Sequence, residues 1–311
     1  MSTEVLTKRC WLAAIMSIAV ALISLPAVAA AQESINVVVT IPVLKDLAEQ
    51  IGRSHVRVTS LLRGYENEHT YSPKPTDLVA VRNAKLLFEV GLGLEVWVTS
   101  LVKNAGSPSL RVVTTSDGIS VIHDGSEDHH DDHTEGSMRS SSGNPHIWMD
   151  PDNVAIMVRH ITHALAEIDP AHAGDYRSNQ TAYLQKLDRL KHELMEQVEG
   201  LADRRFVAHH PAWPYLAKRF GFTIAATIQI HSGAEPSALH IQSLIDTIRH
   251  DRLKVIASEI QLSQKLPQLL SHESKAGVVV LTTLPGGLPG TETYIDMLRY
   301  NVLQLVRALR N

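Results

Sequence analysis

The segment DPAHAGDYRSNQTAYLQKLDRLKHELMEQVEG, residues 169–200, sets the plan of the chain. Asp169 followed by Pro170 reads as an N-cap with proline at the first helical position, and Gly200 reads as a stop. Between these signals Tyr176, Tyr183, Leu187, Leu190, Leu194 and Val198, continued by Leu201, recur at three-, four- and seven-residue steps. That spacing places them on one face of a long helix. At 1.5 Å per residue the helix runs about 45 Å. A helix of that length is a stiff connector, so limited lobe motion is expected rather than wide hinge opening.

On either side of this helix, apolar β-branched runs alternate with helical patterns, the signature of parallel sheets connected by helices. Before it the strand candidates are Ile35–Thr40, Val56–Leu62, Leu86–Val90 and Arg111–Thr114; after it they are Phe206–His209, Thr223–Gln229, Val255–Glu259 and Val278–Thr282. The expected fold is therefore α/β: two lobes, each with a roughly four-stranded parallel sheet flanked by helices, joined by the long rigid helix. The expected boundaries are 1–31 for a signal peptide, 32–168 for the N-terminal lobe, 169–202 for the linking helix and 203–311 for the C-terminal lobe.

Residues 1–31 carry a short basic start (Lys8, Arg9), an apolar run from Trp11 to Leu25 and small residues Ala27, Ala29, Ala30 and Ala31. This is the pattern of a secretory signal peptide, and the run is short for a membrane span of about 20 residues. No later stretch is long enough to span. The one cysteine, Cys10, precedes the apolar run, whereas a lipid-anchored precursor places its cysteine at the cleavage site. An exported chain without a lipid anchor and without a thiol is expected, so a tight soft-metal site must be built from histidine and carboxylate. The formal charge is −4, and becomes −5 without Glu4, Lys8 and Arg9 of the leader. Such a charge does not suggest nucleic acid as partner.

Three histidines stand in separate strand-end contexts: His69 in Glu-His-Thr-Tyr, His146 in Asn-Pro-His-Ile-Trp and His210 in Ala-His-His-Pro-Ala-Trp. Ligands of open parallel sheets collect at the carboxyl ends of strands, where loops converge. One such histidine is ordinarily structural; three in matching topological positions point to a shared metal. His209 is expected in the core or behind the ligands, because consecutive strand residues point to opposite faces. His231 and Glu259 also lie near strand ends and are weaker candidates. A polar, acidic segment from about Gly118 to Gly143 carries His123, His129, His130 and His133 among aspartates. Its composition cannot bury a core. It reads either as a solvated acidic loop or as an auxiliary site that binds extra ions weakly and hands them on. Asp77 and Asp150 read as residues of turns and helix starts, and Trp97, Trp148 and Trp213 as packing.

The segments Glu68-His69-Thr70-Tyr71-Ser72-Pro73 with Pro75-Thr76-Asp77, Gly91-Leu92-Gly93-Leu94-Glu95-Val96-Trp97 and Asn144-Pro145-His146-Ile147-Trp148-Met149-Asp150-Pro151 resemble successive signatures of one family. His210 with Tyr215, Lys218, Arg219 and Gly221, then Ala234-Glu235-Pro236-Ser237, and Thr291-Glu292-Thr293-Tyr294 with Asn301, continue the match in order. Together they resemble the periplasmic metal-binding receptors of ABC importers, in the zinc-specific branch with a His-rich loop. The resemblance implies a two-lobed solute-binding protein holding one metal between the lobes, with His69, His146 and His210 as ligands. Many members carry an aspartate as a further ligand near the C-terminus, where this chain has Thr282. Glu68, adjacent to His69, and a water molecule are the alternatives for the fourth position.

A nitrogen-rich tetrahedral site favours Zn2+ over a hard, oxygen-seeking ion, and manganese is the alternative. The expected function is capture of Zn2+ and its delivery to a membrane permease and its ATPase, by a monomer that is not an enzyme. A secreted zinc hydrolase is the rival from another class, since three histidines and an open position can activate water. Against it, there is no His-Glu-x-x-His pairing, and Glu68 is the one obvious base. A metal buffer or surface adhesin is the third reading.

Overall fold

The computed structural model describes residues 34–123, 143–230 and 235–310. The expected leader (1–31) and His129, His130, His133 and His231 lie outside the described residues. In chain order the elements are β1 (Ile35–Val39), α1 (Pro42–Gly52), β2 (Val56–Ser60), α2 (Pro75–Asn83), β3 (Leu86–Glu89), α3 (Val98–Ala105), β4 (Arg111–Thr114) and α4 (Pro151–Ile168). Then come α5 (Ala173–Glu199), β5 (Arg205–Ala208), α6 (Pro214–Phe220), β6 (Thr223–Thr227), α7 (Ala238–His250), β7 (Val255–Glu259), α8 (Lys265–Ser274), β8 (Gly277–Leu281) and α9 (Tyr294–Arg310).

The strands form two four-stranded sheets, ordered β2-β1-β3-β4 and β6-β5-β7-β8, and every pairing is parallel. The two orders are the same topology repeated. In each sheet the first strand in sequence has neighbours on both sides, β1 pairing Ile35 with Val56 and Val37 with Leu86. Helices cover both faces, so the central strands read as continuous apolar runs instead of alternating. Val37, Val38 and Val39 are all buried, and so are all five residues of β7. The α/β class expected from the alternation holds: two four-stranded parallel sheets flanked by helices, with one long helix between them in sequence.

That helical segment starts at the expected dipeptide, with Asp169 at the N-cap position and Pro170 first, but its opening turn is not α-helical. Pro170–His172 form a 3-10 turn, and the α-helix proper is Ala173–Glu199, about 40 Å long. Asp169 does not cap a backbone N–H; its Oδ2 accepts instead from the Tyr176 hydroxyl at 2.6 Å and faces His172 Nδ1 at 2.7 Å. The aspartate is at once the C-cap of α4 and the N-cap of the 3-10 turn, and its side chain is taken by Tyr176 and His172 instead of a backbone N–H. The buried face is as expected, with Tyr176, Tyr183, Leu187, Leu190, Leu194 and Val198 packed against α1, α4 and α9. Each of these side chains contributes about 1.5–3 kcal/mol by leaving water.

Two caps fix the helices that lead away from the site loops. At α2, Asp77 Oδ2 accepts from the Lys74 backbone N–H and from the Tyr71 hydroxyl, both at 2.6 Å. At α4, Asp150 Oδ1 accepts from the Asp152 N–H at 2.9 Å, with Pro151 at the first helical position. Asp150 also binds Arg219 of α6 through both oxygens, at 2.7 and 2.8 Å, which ties the start of α4 to the second sheet's layer. Helix α9 returns toward the first sheet: the Tyr294 N–H donates to Asp46 at 2.9 Å, and the Tyr294 hydroxyl donates to the Trp148 carbonyl at 2.9 Å. Among the described residues no helix is long and apolar enough to cross a membrane.

Candidate metal centre

Each expected histidine leaves its sheet at a carboxyl end, and the chain is shaped there by short local contacts. Beyond β2, the Leu61 and Leu62 N–H groups still donate to the carbonyls of Val39, the last residue of β1, and Thr40, just after it. Gly64 then turns at φ 99°, pressed so closely on the 285–287 turn that a Cβ would sit 2.3 Å from the Pro285 carbonyl oxygen. Only glycine adopts that conformation in that space. The next turn, in which the Asn67 side chain accepts from the His69 N–H at 2.9 Å, presents Glu68 and His69. His146 precedes the 3-10 turn Ile147–Met149, immediately before the Asp150-capped α4. His210 follows β5 and precedes α6.

These loops bring Glu68, His69, His146 and His210 together, with one donor atom from each within 4.8 Å of all the others. His146 Nε2 lies 3.0 Å from His69 Nε2, 3.3 Å from His210 Nε2 and 3.8 Å from Glu68 Oε1. Metal–ligand bonds of about 2.0–2.1 Å in a tetrahedron put ligand atoms about 3.3–3.4 Å apart. The spacing therefore fits one cation with three nitrogens and one oxygen. Glu68, His146 and His210 are buried, and Glu68 Oε1 has no hydrogen-bond partner, an unsatisfied oxygen aimed into the cluster. A buried anionic oxygen is stable there only with a positive partner or a proton.

The electrostatics divide the histidines. Burial, with the neighbouring His210 charge, pulls His69 down to about 4. Burial likewise holds His146 well below the ordinary imidazole value. Both are neutral near pH 7 and present lone pairs. Burial pulls on His210 too, but the Glu259 carboxylate outweighs it and the net shift is upward. Glu68 is raised by burial, with the His210 charge opposing.

Behind the donors stands a set of hydrogen bonds that the sequence reading did not foresee. Asn144 Oδ1 faces His146 Nδ1 at 3.0 Å and accepts from the His146 backbone N–H at 3.0 Å. An amide oxygen there puts the ring proton on Nδ1 and leaves Nε2 free to bind. The Asn144 amide donates to the Pro211 carbonyl at 2.6 Å, so the same side chain holds the His210 loop. Glu259 Oε2 faces His210 Nδ1 at 2.5 Å, a charge contact more than an aligned hydrogen bond. Its Oε1 accepts from the Trp213 indole N–H at 2.9 Å, so Trp213 does more than pack. The signal for Asn144 was its place two residues before His146; that for Glu259 was a carboxylate ending an otherwise apolar strand.

Other candidates fall elsewhere. His209 is buried on the opposite side of the strand end, with Nδ1 3.4 Å from Ser258 Oγ, and is outside the cluster. Glu259 lies behind His210, outside the four-donor set. His123 is exposed at the edge of the described residues and does not join the cluster. Thr282 is turned away into its own loop: its hydroxyl donates to the Leu284 carbonyl at 2.7 Å and accepts from Gln261 Nε2 at 2.8 Å. Trp148 is buried and donates to the Thr283 carbonyl at 2.8 Å, while Trp97 packs on Tyr71.

The family model described as "Zinc-uptake complex component A periplasmic" matches residues 37–308. The iron-binding protein YfeA of Yersinia pestis is 30% identical over 272 residues, spanning 86% of this chain and 84% of its own. The manganese-binding lipoprotein MntA of Halalkalibacterium halodurans is 29% identical over 283 residues, with 89% of each covered. A crystal structure of a ZnuA deletion mutant with zinc bound superposes with a TM-score of 0.77 at 30% identity, covering 89% of this chain and 98% of that one. With its repeated parallel sheets, its four-donor cluster and a match from Val37 to Ala308, the chain belongs to the family of zinc-uptake component A, the metal-binding receptors of ABC importers.

Proposed function

We propose that this protein captures Zn2+ between its two lobes and delivers it to an ABC-type membrane permease and its ATPase for import. The observation that carries the reading is the convergence of three imidazole nitrogens and one unsatisfied carboxylate oxygen at spacings suited to a small tetrahedral cation. In this reading His69, His146 and His210 are ligands, Glu68 supplies the fourth position in place of a water, and Thr282 takes no part. Export through a cleaved leader of residues 1–31, a periplasmic location without a lipid anchor, and a monomeric receptor complete it. The lobes are 32–168 and 203–311, linked by 169–202, and the histidines of the insert, His123, His129, His130 and His133, act as an auxiliary loop.

Relatives named for iron and manganese make the choice of ion the point to test, with a manganese receptor as the second reading. The donor set supports zinc, because three imidazoles suit a borderline-soft ion better than Mn2+. Competition titration of the metal-free protein with Zn2+, Mn2+ and Fe2+ is the experiment. Tighter binding of Mn2+ than of Zn2+ would refute the zinc reading, whereas no binding of any of the three would refute the site. The hydrolase reading needs a free general base beside the ion; with Glu68 as ligand and Glu259 committed to His210 and Trp213, none remains among the described residues.

A further inference from the structure

Strand β7 ends on a carboxylate that is 0% exposed, where burial of a lone negative charge is costly. Glu259 Oε1 accepts there from the Trp213 indole N–H at 2.9 Å and the His210 backbone N–H at 3.3 Å, and its Oε2 lies 2.5 Å from the His210 imidazole Nδ1. Among the described residues neither Glu259 nor Glu68 is paired with a lysine or arginine. We infer that Glu259 is the positioning and charge-matching residue of the site: it fixes the His210 ring with Nε2 toward the metal and, with Glu68, gives the pocket two negative charges that a dication neutralises. This rests on the reading of the four-donor cluster as the metal site, and adds how that site tells ions apart by charge.

The orientation follows from geometry. An anionic acceptor at Nδ1 draws the ring proton to that side, leaving the Nε2 lone pair to the cluster. The indole and backbone donors hold the other oxygen, so the carboxylate cannot swing away from the ring. The charge argument follows from counting: once a metal has displaced the protons, three neutral imidazoles and two carboxylates sum to −2, complementary to a dication and not to a monocation.

Glu259→Gln keeps the volume and an oxygen for Trp213 while removing the charge. Outer-shell substitutions of this kind cost about 10–100-fold in metal affinity. Coulomb energy scales with ion charge, so the logarithm of the loss for a monocation is half that for a dication, roughly 3–10-fold. The experiment titrates wild type and Glu259→Gln with Zn2+ and with Cu+ kept reduced, and records the His210 Nδ1–H proton resonance of the zinc-loaded proteins. The expected result is a larger loss for Zn2+ than for Cu+ together with a moved resonance. Equal losses for both ions, or no loss and an unmoved resonance, would overturn the inference while leaving the site reading intact. Wild type that binds neither ion would remove both. Should Glu259→Gln fail to fold by circular dichroism, Glu259→Asp decides: it keeps the charge but shifts the contact, so the resonance must move with the Zn2+/Cu+ ratio unchanged, and a fallen ratio overturns the inference.

Discussion

Replacing Asn144 by alanine separates what holds the scaffold from what tunes the metal. Among the described residues the substitution removes three side-chain hydrogen bonds: the two that Oδ1 makes with the His146 ring and backbone, both 3.0 Å, and the 2.6 Å bond from the amide to the Pro211 carbonyl. At about 1 kcal/mol net for each, the metal-free protein should lose about 3 kcal/mol. The Tyr215 hydroxyl donates to the Asn144 backbone carbonyl, which the substitution keeps, so the loop is not released entirely. Metal affinity should fall about 10–100-fold, because nothing then holds the His146 proton on Nδ1. That fold-change is worth about 1.4–2.7 kcal/mol. Urea unfolding with and without saturating Zn2+, together with chelator competition for affinity, closes a thermodynamic cycle. The destabilisation measured with metal must exceed that without metal by the affinity term. Wild-type affinity in a protein that has lost stability would refute the argument, for Asn144 would then be a strut of the loop and not a determinant of the ring's orientation.

Alanine at His69, His146 or His210 should each lower Zn2+ affinity by at least about 100-fold, and wild-type titration by any one of them removes that residue from the site. On acidification, His210 should take up a proton before His69, which does so near pH 4, as read by imidazole nitrogen shifts of the metal-free protein. The sign for His69 is that of a depressed base: its contribution to stability is present above its unfolded value of about 6.5 and is lost as pH falls toward 4. His210 has the opposite sign, contributing below about 6.5 and losing that contribution as pH rises through its folded value. The reverse order of titration would contradict the burial argument. Gly64→Ala should destabilise by several times the usual 1 kcal/mol, since it must adopt φ 99° and meet the Pro285 carbonyl; an unchanged urea midpoint would show the loop free to move. Thr282→Asp should not raise zinc affinity, because the Thr282 side chain is bonded inside its own turn; a tighter site would show that this turn reaches the metal.

The sheets were legible because parallel strands covered on both faces must be apolar throughout, so Val37–Val39, Leu86–Phe88 and Val255–Ala257 stand out as runs without any knowledge of partners. Their ends were less so. Strands expected to reach Thr40, His209, Gln229 and Thr282 stop one or two residues earlier, at Val39, Ala208, Thr227 and Leu281, where the chain turns from the sheet into the loops that follow. The long helical segment starts at the expected dipeptide, but without the expected side-chain cap and with a 3-10 first turn. Asp169-Pro170 satisfies the local rule for a cap, yet the same aspartate closes α4 and binds Tyr176 and His172, and one residue cannot meet both demands.

The order of apolar runs, the proline and aspartate starts of α2 and α4, and the histidines that follow strands were determined by the sequence alone, because each depends on residues near one another in the chain. Which donors share one small volume was decided only by the tertiary structure. It put Glu68 and His69 beside His146 and His210, set Asn144 and Glu259 behind the rings, and turned Thr282 aside. The physical reason is distance: a cation of about 2 Å bond length senses positions to a few tenths of an ångström. Those positions are fixed by the packing of two sheets against each other's loops, which no local spacing encodes.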